Sequence, residues 1–348
     1  MQSDNLYLRL VKNILPSPFS IAVLLTLLTF ALALIFTSRP ENAVSAYPLV
    51  ILEYWETGFW ELLSFTMQMA LILVLGHALA LTPLINRLIN AFTTYCNNTA
   101  SAALWVSLLT IAMSFFNWGL CLVFGAIFAR KVAEKAKSNG WQLNYPLIGA
   151  AGYSGMMCWH GGFSGSAPLT VSGKEHFLVD QIGQISLGET IFSTMNFTTS
   201  ALLLIIVPAV FYLLGKRSSS TELNMVFVSE NTEQNIKPSP RGAEKIDHSK
   251  VAAALLGGII CFISLRNLWF ESYHAINLNY INFLLFGLGI LLHGSFAGFV
   301  SAITEAISGS VGIIIQFPLY AGIMGIMKYS GLAAGVSYAF VDISNATT

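Results

Sequence analysis

Charge is what this sequence has least of. Lysine, arginine, aspartate and glutamate make up 10% of the 348 residues, against about 25% in an ordinary soluble domain. A chain so poor in charge cannot dress a water-facing surface, and 55% of its residues are hydrophobic. The 17 basic residues balance the 17 acidic ones, so nothing favours a polyanionic partner. No basic stripe with interleaved aromatics occurs, which argues against nucleic-acid binding. Cysteine is also scarce. Cys96, Cys121, Cys158 and Cys261 are scattered, and no close pair suggests zinc or a redox dithiol. Small buried side chains are their expected role. No metal site and no cofactor are expected.

What the sequence has instead is long apolar runs. Arg9 and Lys12 precede one from Phe19 to Phe36. A signal-peptide core spans roughly 7–15 residues, so this longer run reads as a first membrane span, from about Ser17 to Phe36. The expected fold class is an all-α polytopic membrane protein, a helical bundle with re-entrant or broken helices. The lipid bilayer is then its first partner.

The most informative stretch is Tyr145 to Val171. It is long enough to cross a bilayer, which takes about 20 apolar residues. Yet it contains six glycines and Pro168. An interior glycine costs a helix about 1 kcal/mol and a proline about 3, which argues against one uninterrupted helix. Broken backbone at membrane depth survives only where protein buries it or water lines it. Secondary transporters use such breaks to hold substrate. A second irregular region, Ser101 to Ala129, would be about 43 Å long as one helix, more than a ~30 Å core accommodates. Either it is one strongly tilted helix, or it breaks at Asn117, beside Trp118 and Gly119, and returns to the side it entered.

The remaining organisation follows in order. A loop carrying Glu41, Glu53, Glu56 and Glu61 leads to a span from about Leu62 to Leu81, which holds Gln68 and His77. Arg87 lies in the next loop. Arg130, Lys131, Lys135 and Lys137 follow the Asn117 region. Short basic loops favour the cytoplasm, so an inside N-terminus predicts that this region returns to its own side as a hairpin. A span from about Glu189 to Leu214 comes next. Lys216 to Lys250 is a hydrophilic linker without the composition of a packed core. Residues 1–215 thus form an N-terminal transmembrane half with broken segments near 101–129 and 145–171. Residues 216–250 form a cytoplasmic linker, and 251–348 a C-terminal transmembrane part. Within that part, Val251–Trp269 and Ile276–Leu292 read as spans and Phe296–Ile307 as amphipathic. Gly309–Met327 is apolar but interrupted at Gln316-Phe317-Pro318, Gly322 and Gly325, and Tyr329–Thr348 is too short to span. This layout places all but four of the 17 basic residues (Arg39, Lys174, Arg266, Lys328) inside.

Several stretches, taken in order, resemble the bacterial short-chain fatty acid transporter family. They are Gly58-Phe59-Trp60, Met67-Gln68-Met69-Ala70-Leu71-Ile72, Gly76-His77-Ala78-Leu79-Ala80, Asn117-Trp118-Gly119 and Phe128-Ala129-Arg130. They continue with Trp159, Gly161-Gly162-Phe163-Ser164-Gly165-Ser166, Pro168-Leu169, Asn196, Gln316-Phe317-Pro318, Tyr320-Ala321-Gly322 and Ser330-Gly331-Leu332. The resemblance implies uptake of acetoacetate, butyrate or similar monocarboxylates across the bacterial inner membrane, with no chemical modification and hence no enzyme. It also implies a further C-terminal part with another Asn and a Pro-Ser-Gly-Gly-Gly stretch, so the C-terminal transmembrane part is expected to be incomplete. A homodimer is compatible with this reading.

A monocarboxylate needs donors for its oxygens and an apolar wall for its tail. Ser164 and Ser166 can donate, Gly162 opens the backbone beside them, and Trp159 and Phe163 can form the wall. The competing role for these glycines is close helix packing, as Gly161-x-x-x-Gly165 allows. Asn117, Trp118, Asn196 and Gln316 complete the candidate substrate-binding set, since a polar group in lipid must face protein, water or ligand. The competing role of the amides is a helix-bridging hydrogen bond. His77, His160 and Glu305 are candidates for coupling to H⁺ or Na⁺; an interfacial location is the competing reading for His77 and Glu305. Two other classes stand as alternatives. Gly162-Phe163-Ser164-Gly165 resembles the Gly-x-Ser-Gly of intramembrane serine hydrolases, with His274 or His293 as base. A channel for small anions is the other.

Overall fold

A computed structural model describes residues 15–41, 45–174, 176, 179–218 and 241–344. Its regular structure is helical, with no strand among the described residues. In chain order the principal helices are α1 (Pro18–Phe36), α2 (Tyr47–Glu61), α3 (Leu63–Ala80), α4 (Pro83–Thr93), α5 (Thr99–Phe116), α6 (Trp118–Ser138), α7 (Tyr145–Tyr153) and α8 (Ser166–Val171). They continue with α9 (Thr194–Arg217), α10 (Lys250–Glu271), α11 (Leu278–His293), α12 (Phe296–Ala306), α13 (Val311–Tyr329) and α14 (Leu332–Ile343). Among the described residues, six stretches are long and apolar enough to cross a membrane: α1, α3, α5, α9, Lys250–Ala275 and Phe296–Tyr329. The all-α polytopic reading is borne out. The hydrophilic linker falls mostly on residues 219–240, outside the described residues.

The chain forms two compact units. One comprises residues 1–70 and 310–348, the other residues 71–309. In the first unit α2 and α13 lie in backbone contact. A side chain at Gly58 would come within 2.6 Å of the Gly325 Cα, and one at Gly325 within 2.5 Å of the Tyr54 carbonyl oxygen. Beyond this crossing the Glu61 carboxylate accepts from the Tyr329 hydroxyl and, at 3.4 Å, from Lys328 Nζ. Ala33, Ile51, Ile326 and Leu332 form the buried centre, with Tyr47 and Trp55 packed on it.

Two expectations are corrected in this unit. The supposed acidic loop after the first span is helix α2. Pro48 sits in its first turn, Val50, Ile51 and Gly58 are buried, and Glu53 and Glu56 stay exposed. These two acids occupy the exposed side of the helix and leave its buried face apolar. Nor is the last apolar region interrupted at Gln316-Phe317-Pro318, because α13 runs through with Pro318 buried inside it. Its glycines are consumed by packing: a side chain at Gly322 would meet Trp55 Nε1 at 2.5 Å.

In the second unit the Asn117 region is a hairpin. α5 opens on a reciprocal cap between Asn98 and Ser101, and α6 opens on Asn117. The far end of α6 returns to the start of α5. There the Lys135 ammonium donates to the carbonyl oxygens of Thr93 (2.9 Å), Thr94 (3.2 Å) and Cys96 (3.2 Å) and to Asn97 Oδ1 (3.2 Å). One turn earlier, Lys131 Nζ donates to Asn86 Oδ1 at 2.5 Å and Asn90 Oδ1 at 2.6 Å. The supposed loop around Arg87 is therefore α4, an amphipathic helix. It is capped by Thr82, started by Pro83 and buried along Ile85, Ile89 and Thr93. The span read from Glu189 begins at Thr194, because the Ser193 hydroxyl caps it by accepting from the Asn196 N–H at 3.2 Å. Cys96, Cys121 and Cys158 are buried, and Cys261 is half-buried.

Candidate functional site

Asn117 ends one helix and starts the next. Its backbone is extended (φ −157°, ψ 129°), yet its N–H still donates to the Met113 carbonyl at 3.0 Å. Its Oδ1 accepts from the Leu120 N–H at 2.7 Å, and its Nδ2 donates to the Ile72 carbonyl at 3.3 Å. The residue is fully buried. A break inside a membrane protein needs such internal satisfaction, since lipid offers none.

The second break lies alongside. Asn144 caps α7, accepting from the Leu147 N–H at 3.1 Å, while its own N–H donates to Thr99 Oγ1 at 3.2 Å. After Tyr153 the chain tightens into two 3-10 turns, Ser154–Met157 and Trp159–Gly161, and opens out at Gly162. Each turn is too short to continue as a span, as the glycine content predicts.

The two breaks are laced together. The Phe163 N–H donates to the Phe115 carbonyl at 2.8 Å. The Ser164 hydroxyl, fully buried, accepts from the Trp118 N–H at 2.9 Å. Gly162 makes this approach feasible, because a side chain there would sit 2.3 Å from the Phe115 carbonyl oxygen. Beside the lacing stands an aromatic wall. The Trp118 and Trp159 rings are 5.8 Å apart, Trp159 lies 3.7 Å from the His160 ring, and Phe163 lies 6.0 Å from Phe192. Within it, Trp118 Nε1 is buried and has no hydrogen-bond partner among the described residues. An unmet buried donor costs about 1–3 kcal/mol, so this N–H is free to donate to an acceptor atom.

Asn117, Trp118, Trp159, His160, Gly162, Phe163, Ser164 and Asn196 thus belong to one neighbourhood of the second unit. Asn196 Nδ2 reaches it by donating to the Gly161 carbonyl. Ser166 opens α8 immediately after, half-buried. Gln316 belongs to the first unit, where its Oε1 faces the Tyr320 hydroxyl at 3.5 Å. His77 lies on α3 with the Glu305 carboxylate in its electrostatic surroundings, and Glu305 itself is exposed on α12. Ser164 has no histidine partner among the described residues. His274 Nδ1 contacts the Glu271 carbonyl at 3.3 Å, and His293 Nε2 contacts the Ala78 carbonyl at 2.9 Å. Sequence reasoning missed the Phe115 carbonyl, which no side-chain pattern announces. It also missed the Lys131/Lys135 clasp, whose four-residue spacing on one helix face was a readable signal.

A family model described as "Short chain fatty acid transporter" matches residues 3–348. A protein of Escherichia coli (strain K12) named "Putative short-chain fatty acid transporter" is 32% identical over 98% of this chain and 75% of its own length. A protein of the same name from Haemophilus influenzae is 31% identical over 96% of this chain and 74% of its own. No solved structure matches. With its several membrane-crossing helices, this integral membrane protein belongs to the short-chain fatty acid transporter family.

Proposed function

We propose that this chain carries out secondary transport of short-chain monocarboxylates, such as butyrate or acetoacetate, across the cytoplasmic membrane. The observation that carries this reading is the buried, unpartnered Nε1–H of Trp118 beside the Trp159 ring. One carboxylate oxygen of the substrate takes that donor. The Ser164 hydroxyl, whose oxygen accepts from the Trp118 N–H, keeps its own proton to donate. The short tail lies against Trp159 and Phe163. The transported acid leaves chemically unchanged.

Asn117, Trp118, Trp159, Phe163 and Ser164 carry no formal charge, so an anion held among them lacks a fixed counter-ion. Inward movement of an anion against an inside-negative potential also costs about 2.3 kcal/mol per charge per 100 mV. Co-transport of H⁺ or Na⁺ offsets both, with His77, His160 and Glu305 as the groups available to a proton. The test is uptake of radiolabelled butyrate into vesicles bearing the chain, with and without an imposed H⁺ or Na⁺ gradient. Saturable, gradient-stimulated uptake supports the reading. Flux that never saturates and ignores both gradients means a channel instead.

A further inference from the structure

Asn196 stands next to the proposed site, but its polar atoms are already committed. A side-chain amide has two N–H donors. Asn196 Nδ2 donates to the Gly161 carbonyl at 3.0 Å and to the Ile191 carbonyl at 2.7 Å. Two carbonyl acceptors on the same atom fix the amide's orientation, because the flipped form would set oxygen against oxygen. What remains is Oδ1, an acceptor, which has nothing to offer a carboxylate. Oδ1 is also pressed against the broken segment: a side chain at Gly161 would meet it at 2.7 Å and the Ser200 hydroxyl at 3.1 Å. The backbone of Asn196 is itself held, donating to the Ser193 hydroxyl at 3.2 Å.

Gly161 closes the 3-10 turn that begins at Trp159 and precedes the Gly162–Ser164 lacing. Whatever holds Gly161 therefore holds both the aromatic wall and the hydroxyl that braces Trp118. We propose that Asn196 is a positioning residue: it pins the Trp159–Gly161 turn to the head of α9 and to the Ile191 bend, and so sets the shape of the monocarboxylate site without touching the substrate. This inference rests on the transport reading for its substrate, but its geometry can be tested separately.

Cys158 provides that separate readout, since it is buried at the start of the same turn. The experiment uses the full chain with Cys96, Cys121 and Cys261 replaced by serine, and follows N-ethylmaleimide labelling of Cys158 without substrate, alongside butyrate uptake. Asn196→Asp keeps the side-chain shape and loses both donors. Gly161→Ala forces the same parting from the other side. Each is expected to speed Cys158 labelling about tenfold and to raise the KM for butyrate about tenfold with Vmax little changed, the pattern of a loosened binding shell. Combined, the two should do no more than either alone. A raised KM with Cys158 still protected in Asn196→Asp would make Asn196 a substrate ligand and overturn the proposal. Unchanged labelling and unchanged KM would overturn it as well. If the parent chain moves no butyrate, the transport reading fails, while the labelling result still decides whether Asn196 pins the turn.

Discussion

The backbone N–H of Trp118 and the side-chain hydroxyl of Ser164 meet at 2.9 Å across 46 residues of sequence. This one bond joins the start of α6 to the far side of the Tyr145–Val171 break. It presents Trp118 with its indole N–H buried and unpartnered.

Trp118→Phe removes the indole N–H and keeps an aromatic ring in the wall. A hydrogen bond to a charged acceptor contributes about 1.5–3 kcal/mol, so the KM for butyrate should rise about ten- to hundredfold, at about 1.4 kcal/mol per decade. Vmax should change little, because the bond forms with bound substrate. Initial-rate uptake across a butyrate concentration series reads this out. An unchanged KM removes Trp118 Nε1 from the site.

Ser164→Ala leaves the Trp118 N–H without its side-chain acceptor in a fully buried position. The expected loss is about 1–3 kcal/mol of stability, the cost of an orphaned buried donor, together with impaired uptake. Thermal unfolding in detergent measures the first effect. A variant as stable as the parent would show that this bond does not brace the junction.

Lys135→Met strips a shared donor from three carbonyls and Asn97 Oδ1. Its sensor is Cys96, in the turn between α4 and α5, whose thiol is pushed up to about 12 by burial and drawn down to a lesser degree by the Lys135 charge. The thiolate is the reactive form, so Cys96 should resist maleimide at neutral pH in the parent chain. If the turn stayed closed, removing the cation would raise the thiol further and slow labelling. Faster labelling in Lys135→Met therefore reports opening of the turn, and that is the expected result. Labelling as slow as or slower than in the parent would mean that the turn closes without the lysine.

Much of this architecture can be read from residue types, and the reasons are local. Asn117 stops and restarts a helix because its side chain caps the new one, a preference of the residue itself. The break after Tyr153 follows from glycine density. What escapes the sequence is partnership. Gly322 and Gly325 resemble helix breakers as strongly as Gly161 and Gly162 do. Yet the first pair lies inside a continuous helix because α2 approaches it, while the second lies in a turn because Phe115 and Asn196 lock it there. Composition is the same in both cases, and only the neighbour decides. The acidic residues of α2 mislead for a related reason: charge at exposed positions marks one face of a helix as readily as it marks a loop. Site membership suffers likewise. Gln316 and Asn117 are equally suggestive as polar residues in apolar runs, but the fold puts them in different compact units.

Gly58→Ala tests the crossing in the first unit. The added methyl would lie 2.6 Å from the Gly325 Cα and 2.7 Å from the Ala321 carbonyl oxygen, both backbone atoms that cannot rotate away. Overpacking of this kind costs about 1–3 kcal/mol. Gly335→Ala on α14, where a side chain would meet nothing within 4 Å, should leave stability unchanged or slightly raised. Thermal unfolding of the pair in one detergent separates them, and equal midpoints would refute the packing role of Gly58.

The most direct test of the account is the concentration dependence of radiolabelled butyrate uptake by vesicles carrying the parent chain and Trp118→Phe side by side. The expected result is saturable uptake by the parent and a curve shifted at least about tenfold to higher concentration in the variant. Superimposable curves, or parent uptake no greater than in empty vesicles, would contradict it.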